Sequence, residues 1–233
     1  MSMSTAPTPP APTLLPPRRR RDPVQERSHE TVARIHAAAS RLLAGGAAPH
    51  ALTTAQIAAA AGLSVGALYR FFPDKQAVVD AIALRHLETF QESLAALLME
   101  AVPETPAAFL AAVVDAFAGY LQANADFLTL AYGAPDAAAP GATGRAISRA
   151  LFEQQAASGD MTALVREFLG VMFGTDTDES FDFRLRIAAE IGDRLIGHAF
   201  AQPTPDRRAR VLAEAKTVLA SYLFGPHPLV SNA

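Results

Sequence analysis

Apolar residues recur every three or four positions along most of this 233-residue chain, which is the spacing of an amphipathic α-helix. No stretch alternates apolar and polar residues as a β-strand does, and there is no internal repeat. Glycines, prolines and capping residues divide the pattern into helices predicted at 23–43, two short ones within 52–72, then 75–101, 105–124, 126–132, 145–157, 161–173, 181–200 and 206–224. The sequence therefore predicts an all-α fold.

The first 23 residues have a different composition. They contain seven prolines and, at positions 18–21, four consecutive arginines. Because little in this segment can pack, it is predicted to be a disordered tail. The arginines are expected either to reach along a DNA backbone or to serve only as a solvated, solubilising cluster.

Composition and charge narrow the possible functions. The chain has no cysteine, which excludes disulfides, thiolate metal sites and a cysteine nucleophile. No apolar run approaches the roughly 18 residues that a membrane span requires, and a cytoplasmic location is expected. Residues 1–75 hold nine Lys or Arg against four Asp or Glu, whereas residues 76–233 hold eleven against nineteen. A basic N-terminal part can approach a polyanion while the acidic remainder stays away from it.

Residues 52–75 have the pattern of a helix-turn-helix. Thr53 and Gln56 fit a capping box at the start of the first helix, and Ser64 can cap the second. The small residue Ala58 lies where the helices would cross, and Gly62 suits the turn between them. The apolar residues that would hold the pair together are Ile57, Ala61, Leu63 and Leu68. The alternative is a pair of short core helices with no DNA to bind.

The second helix of the pair is predicted to enter the major groove of double-stranded DNA. Arg70 is its one strong hydrogen-bond donor suited to guanine, and the Tyr69 hydroxyl is better suited to a phosphate. Thr54 and Lys75, at the starts of the neighbouring helices, are likewise placed to contact phosphates. The residues predicted to face DNA are Thr54, Val65, Gly66, Ala67, Tyr69, Arg70, Phe71 and Lys75.

The same segment resembles the DNA-binding core of the tetracycline-repressor (TetR) family. Its most specific part is Leu68-Tyr69, followed by Phe72 and by Asp74-Lys75, and the close similarity covers residues 26–83. The resemblance implies a homodimeric regulator, usually a repressor, that leaves a palindromic operator when a small molecule binds its C-terminal domain. Phe71 departs from the family, which often has histidine or tyrosine there, and a phenyl ring cannot hydrogen-bond a phosphate.

Aromatic and polar residues of the central helices are candidates for a mainly apolar effector pocket. They are Phe117, Tyr120, Asn124, Phe127, Tyr132, Phe152, Met172 and His198. For each of them, membership of an ordinary hydrophobic core is the alternative.

The last helix has two adjacent apolar stripes, one through Val211, Val218 and Tyr222 and the other through Leu212 and Leu219. This width suits burial against two surfaces. A homodimer through the last two helices of each protomer is predicted, with its two reading helices about 34 Å apart.

Other kinds of chemistry have no support in the sequence. The acidic loop 174–180 lacks the glycine and the terminal glutamate of a calcium loop, and no two histidines have ligand spacing. No catalytic residue, metal or cofactor is predicted.

The expected organisation is a tail (1–23), a helix-turn-helix domain (24–75) and a helical ligand-binding and dimerisation domain (76–233). Two alternative functions are left open. One is an enzyme or carrier whose N-terminal helices are only structural, and the other is a helical protein that acts through protein–protein interaction.

Overall fold

A computed structural model of the protein describes residues 23–133 and 161–225. Every regular element within these ranges is an α-helix, which confirms the predicted fold class. The helices are α1 (Pro23–Ala44), α2 (Thr54–Ala60), α3 (Val65–Tyr69), α4 (Lys75–Glu100), α5 (Pro106–Ala123), α6 (Ala125–Tyr132), α7 (Met161–Phe173), α8 (Glu179–Phe200) and α9 (Pro205–Phe224). The tail and the helix predicted at 145–157 lie outside the described residues.

Local capping signals decide where most of these helices begin. The side chains of Ser64, Asp74 and Thr105 each accept a hydrogen bond from a backbone N–H in the first turn of the helix that follows. Helix α8 begins at Glu179, two residues before its predicted start. The reason is Asp178, whose carboxylate accepts a hydrogen bond of 2.7 Å from the backbone N–H of Phe181 and so satisfies a donor that the helix leaves unpaired.

Helices α1 to α4 surround a small hydrophobic core, here called the N-terminal cluster. Its buried members include Ile35, Leu43, Ile57, Leu68, Val79, Ile82 and, from α6, Leu130. Helices α1, α2 and α3 form the N-terminal helix-turn-helix unit, and α4 leads from it into the larger helical part of the chain.

The larger core, the C-terminal cluster, lies among the remaining helices. It includes Phe90, Leu94, Phe109, Leu121, Phe127, Leu169, Phe181 and Leu219. Helix α8 packs along α9, and α9 also packs on α5, where the Lys216 ammonium lies 2.8 Å from a carboxylate oxygen of Asp115. Because α4 contributes residues to both clusters, a movement of α4 affects both.

One described helix, α5, is long and apolar enough by length and composition to cross a membrane. An apolar segment long enough to cross a membrane was not predicted from the sequence. Its Phe109, Val114 and Leu121 are buried in the C-terminal cluster, so the apolar composition of α5 has an explanation within the folded protein. A single helix of this kind is weak evidence for a membrane span.

Candidate DNA-binding and effector sites

The turn between α2 and α3 sets the orientation of the predicted reading helix. Gly62 has a φ of +66°, a left-handed conformation that glycine adopts without steric cost. The backbone N–H of Leu63 donates back to Ala58 O at 2.9 Å, and Leu68 of α3 is fully buried in the N-terminal cluster. One face of α3 is therefore fixed against α1 and α2, and the opposite face is left to the solvent.

The predicted DNA-facing residues fall into two groups. Val65, Gly66, Tyr69 and Arg70 are exposed, with Val65 at 38% and Tyr69 at 50% of their full accessible area. Thr54, Ala67, Phe71 and Lys75 are half-buried. Phe71 packs against the N-terminal cluster, which agrees with the absence of a polar group on its ring and leaves only part of its surface accessible to DNA.

Two of the predicted phosphate contacts lie side by side. The hydroxyl oxygens of Thr54 and Tyr69 are 3.3 Å apart. Thr54 is the first residue of α2, and Tyr69 is the last residue of α3. Together they present two hydroxyl groups at one position on the surface of the helix-turn-helix.

Lys75 makes two contacts within the protein that were not predicted from the sequence. Its ammonium donates to the backbone oxygens of His50 and Leu52, at 2.7 and 3.0 Å. Both carbonyls belong to the segment that joins α1 to α2, so Lys75 ties the start of α4 to this connection. Two of its three N–H donors are engaged in this way, and one is left for a phosphate.

A buried polar cluster joins α4, α5 and α6. His86 of α4 lies with Nε2 3.0 Å from an Asp126 carboxylate oxygen and with Nδ1 2.9 Å from the Tyr120 hydroxyl. Because the carboxylate accepts, Nε2 carries an N–H, and Nδ1 and the Tyr120 hydroxyl form the second hydrogen bond of the ring. His86 and Asp126 are both buried.

The ionisation of Asp126 fits this arrangement. Burial raises the pKa of its carboxyl, but the hydrogen bond from His86, the proximity of the imidazole and a backbone hydrogen bond from Phe127 outweigh burial and bring the pKa to about 2. Burial also raises the pKa of Tyr120. The cluster therefore holds an ionised carboxylate, an imidazole and a neutral phenol in one line.

Of these three residues, only Tyr120 was predicted from the sequence as a site residue, whereas His86 and Asp126 were not. A signal for His86 does exist, because it lies four residues after Ile82 and four before Phe90, both buried on the same face of α4. Asp126 has no comparable local signal. Its partner is 40 positions away along the chain.

Aromatic rings surround the polar cluster. Phe127 stacks on the His86 ring with centroids 4.9 Å apart, and Phe90 contacts both Phe117 and Tyr120, at 5.0 and 5.4 Å. Three of the predicted effector residues, Phe117, Tyr120 and Phe127, are thus brought together between α4, α5 and α6.

The other predicted effector residues within the described ranges make different contacts, and of these Asn124 touches a member of this cluster. The Asn124 amide donates to Tyr120 O at the end of α5, at 2.8 Å, and the Tyr132 hydroxyl donates to Asp193 at 3.1 Å. Met172 and His198 lie exposed on the surface of the protomer, and their role at an effector site stays a prediction. Phe152 lies outside the described residues.

A separate cavity of about 320 Å³ lies beside α7, lined by Ala163, Arg166, Glu167, Gly170, Val171 and Thr177. None of these is a predicted effector residue. Among the residues that the structure describes, no group of three or more His, Cys, Asp or Glu side chains is arranged to hold a metal ion.

The described residues fold as helices with a helix-turn-helix in the N-terminal part. Comparison with known proteins shows what this unit is similar to. The sequence model of bacterial regulatory proteins of the tetR family matches residues 35–82, which run from within α1 into α4. No curated protein sequence matches the chain.

Solved structures extend the similarity to nearly the whole chain. A TetR-family transcriptional regulator from Streptomyces coelicolor is 25% identical, with a TM-score of 0.62 over 83% of this chain and 97% of that one. FadR from Bacillus subtilis, in complex with stearoyl-CoA, is 17% identical, with a TM-score of 0.54 over 84% of this chain and 99% of FadR. RolR in complex with resorcinol is 17% identical, with a TM-score of 0.57 over 89% and 100%. The family model thus matches the helix-turn-helix with parts of its flanking helices, and the chain is similar in fold to TetR-family transcriptional regulators over most of its length.

Proposed function

We propose that this regulator is a homodimeric repressor that binds a palindromic operator and releases it when a small molecule binds among its C-terminal helices. The observation that carries the proposal is the position of α3, which buries Leu68 and leaves Val65, Tyr69 and Arg70 exposed on its other face. A helix supported in this way by a preceding helix can enter the major groove. Because its ligand is DNA, we expect the protein to act in the cytoplasm.

Apolar side chains exposed on the last two helices support the homodimer. Phe183 of α8 is 58% exposed and Val218 of α9 is 43% exposed. Two helices from each protomer would bury these side chains in a four-helix interface around a two-fold axis. The two-fold axis is in turn what makes the preferred DNA site a palindrome.

Phe183→Arg tests the dimer. The side chain is exposed in the protomer, so the variant should fold, yet it would bring two charges into the interface. Light scattering should then give the monomer mass. A matched control is Met99→Arg at the end of α4, a position 85% exposed and outside α8 and α9. A Phe183→Arg protein that remains a dimer would remove this interface from the proposal.

The aromatic residues around His86 support an effector that is mainly apolar with a polar group. Such a molecule would pack on Phe117 and Phe127 and exchange hydrogen bonds with His86 or Tyr120, the polar groups within the aromatic cluster. The structures similar in fold hold stearoyl-CoA in FadR and resorcinol in RolR, so ligands of both large and small size occur on this fold.

The mechanism that we propose is a shift between two conformers. Helix α4 places Val79 in the N-terminal cluster and Phe90 in the C-terminal cluster, so its displacement would move the reading helices of both protomers. An effector can drive this change only through a difference in its affinity for the two conformers. A compound that saturates the protein without changing its affinity for DNA would not be an effector of this mechanism.

Selection of bound duplexes from a random DNA pool tests the DNA-binding part. We expect enrichment of a palindrome with half-sites about one helical turn apart. Recovery of a single unpaired half-site would contradict the two-fold dimer. No enrichment at low salt, from a folded dimeric sample, would contradict DNA reading altogether and favour a small-molecule carrier.

A further inference from the structure

Helix α6 is eight residues long, yet it contacts three separate parts of the molecule. It packs along α1 and places Leu130 in the N-terminal cluster. Phe127 belongs to the C-terminal cluster, and Asp126 is bonded to His86 of α4. The position of the helix-turn-helix therefore depends on how α6 is held.

The last residue of α6, Tyr132, fixes this helix to α8. The Tyr132 hydroxyl donates to Asp193 Oδ1 at 3.1 Å, and its ring lies over Gly197, one helical turn further along α8. A Cβ added at Gly197 would lie 2.7 and 2.9 Å from two atoms of the Tyr132 ring. Only glycine at position 197 leaves room for the ring where it lies.

We propose that Tyr132, seated on Gly197, is a positioning residue that sets the distance between the two DNA half-sites the dimer accepts. The inference rests on the proposed function, in which α8 belongs to the dimer interface. Tyr132 then joins the part of each protomer that is fixed by the two-fold axis to the part that carries α3. The sequence had suggested Tyr132 as an effector ligand. In this proposal it is instead a structural link between α6 and α8.

The size of the expected effect follows from DNA geometry. One base pair separates half-sites by about 3.4 Å and rotates one relative to the other by about 35°. A methyl group at position 197 requires the ring to withdraw until ordinary van der Waals contact is restored, because folded interiors are close-packed. Helix α6 packs on α1, α1 packs on α2, and α2 packs on α3, so a tilt of α6 at Tyr132 is transmitted to α3 through these contacts.

Gly197→Ala and Tyr132→Leu are the test variants. The first displaces the ring, and the second removes it. Gly119→Ala is the matched control, because Gly119 also lies within a helix, α5, and an added Cβ there meets nothing within 4 Å. The double variant Tyr132→Leu/Gly197→Ala should have the same spacing preference as Tyr132→Leu alone, since without the ring the added methyl group has nothing to displace.

The measurement is the affinity of each protein for the palindrome selected by the wild type and for the same duplex with one base pair inserted or deleted at its centre. We expect the wild type and Gly119→Ala to lose about tenfold or more in affinity on either change. Gly197→Ala should bind one of the two altered duplexes more tightly than the original palindrome. Alternatively, it should lose the preference for spacing, so that its affinities for the three duplexes differ by less than about threefold. Tyr132→Leu should lose the preference in the same way.

Folded Gly197→Ala and Tyr132→Leu proteins that keep the wild-type ratio among the three duplexes would overturn the inference. Equal weakening on all three duplexes would also overturn it, because that is the effect of general destabilisation. If the wild type itself shows no preference of spacing, the proposed dimeric function fails and the inference fails with it. If Gly197→Ala does not fold, the affinities of Tyr132→Leu for the three duplexes decide whether the inference holds.

Discussion

The hydroxyl oxygens of Thr54 and Tyr69 lie 3.3 Å apart and join the first residue of α2 to the last residue of α3. Both residues were predicted from the sequence to contact DNA phosphates. Because each hydroxyl has one O–H, the bond between them leaves one O–H of the pair to donate to a phosphate oxygen, from a position that the other hydroxyl holds. This pair is therefore expected to contribute to affinity and not to the choice of sequence.

Tyr69→Phe should weaken binding to every duplex by a similar factor. The ring and its exposed position stay, and only the hydroxyl is lost, so the cost is that of a hydrogen bond to a charged group, about 1.5–3 kcal/mol. Because tyrosine is neutral, the dependence of log affinity on log salt concentration should not change. Ser93→Ala, which removes an exposed hydroxyl from α4, is the control. Loss of affinity confined to one sequence would contradict a phosphate contact.

Arg70→Lys should relax the choice of base at one position in each half-site. Lysine keeps the charge but not the planar fork that pairs with guanine O6 and N7. We expect a loss of about 1–3 kcal/mol against the preferred base pair and an unchanged salt dependence. Affinities for duplexes substituted at each position check this, and an unaltered preference would show that Arg70 does not read a base.

Lys75→Met should lower the stability of the protein as well as its affinity for DNA. The ammonium holds the carbonyl oxygens of His50 and Leu52, and loss of these bonds should reduce the free energy of unfolding by about 1–2 kcal/mol. Denaturant unfolding measures this loss. If Lys75 also contacts a phosphate, the salt slope falls by about 1, whereas unchanged stability would show that the two carbonyl contacts contribute nothing.

Asp126→Asn should remove part of the acid sensitivity of the fold. The folded-state pKa of Asp126 is about 2, below its ordinary value of 3.8, so its contribution is present above pH 3.8 and is lost as the pH falls toward 2. The shift corresponds to about 2 kcal/mol at neutral pH. The difference in unfolding free energy between wild type and Asp126→Asn should therefore narrow between about pH 4 and pH 2. A difference that is constant across this range would contradict the assigned ionisation.

The parts of the structure that follow local rules could be predicted from the sequence. Thr53 and Ser64 cap the helices expected of them, because a capping hydrogen bond reaches only three residues along the chain. Gly62 adopts the left-handed turn for a reason equally local, the absence of a Cβ.

Contacts between distant residues could not be predicted in this way. His86 meets Asp126 across 40 positions, and Tyr132 meets Asp193 across 61. Helical periodicity shows which face of α4 or α6 is buried, but it does not show what lies opposite. Met172 and His198 were expected to line a pocket because of their residue types, and burial depends on packing that residue type alone does not determine.

The central claim is that α3 reads DNA within a two-fold dimer. The most direct measurement is the affinity of the wild-type protein, at a series of salt concentrations, for the selected palindrome and for a scrambled duplex of the same length and composition. The proposed function predicts a steep loss of affinity with salt for both duplexes and about a thousandfold or greater preference for the palindrome. Equal affinity for the two duplexes at every salt concentration would contradict it.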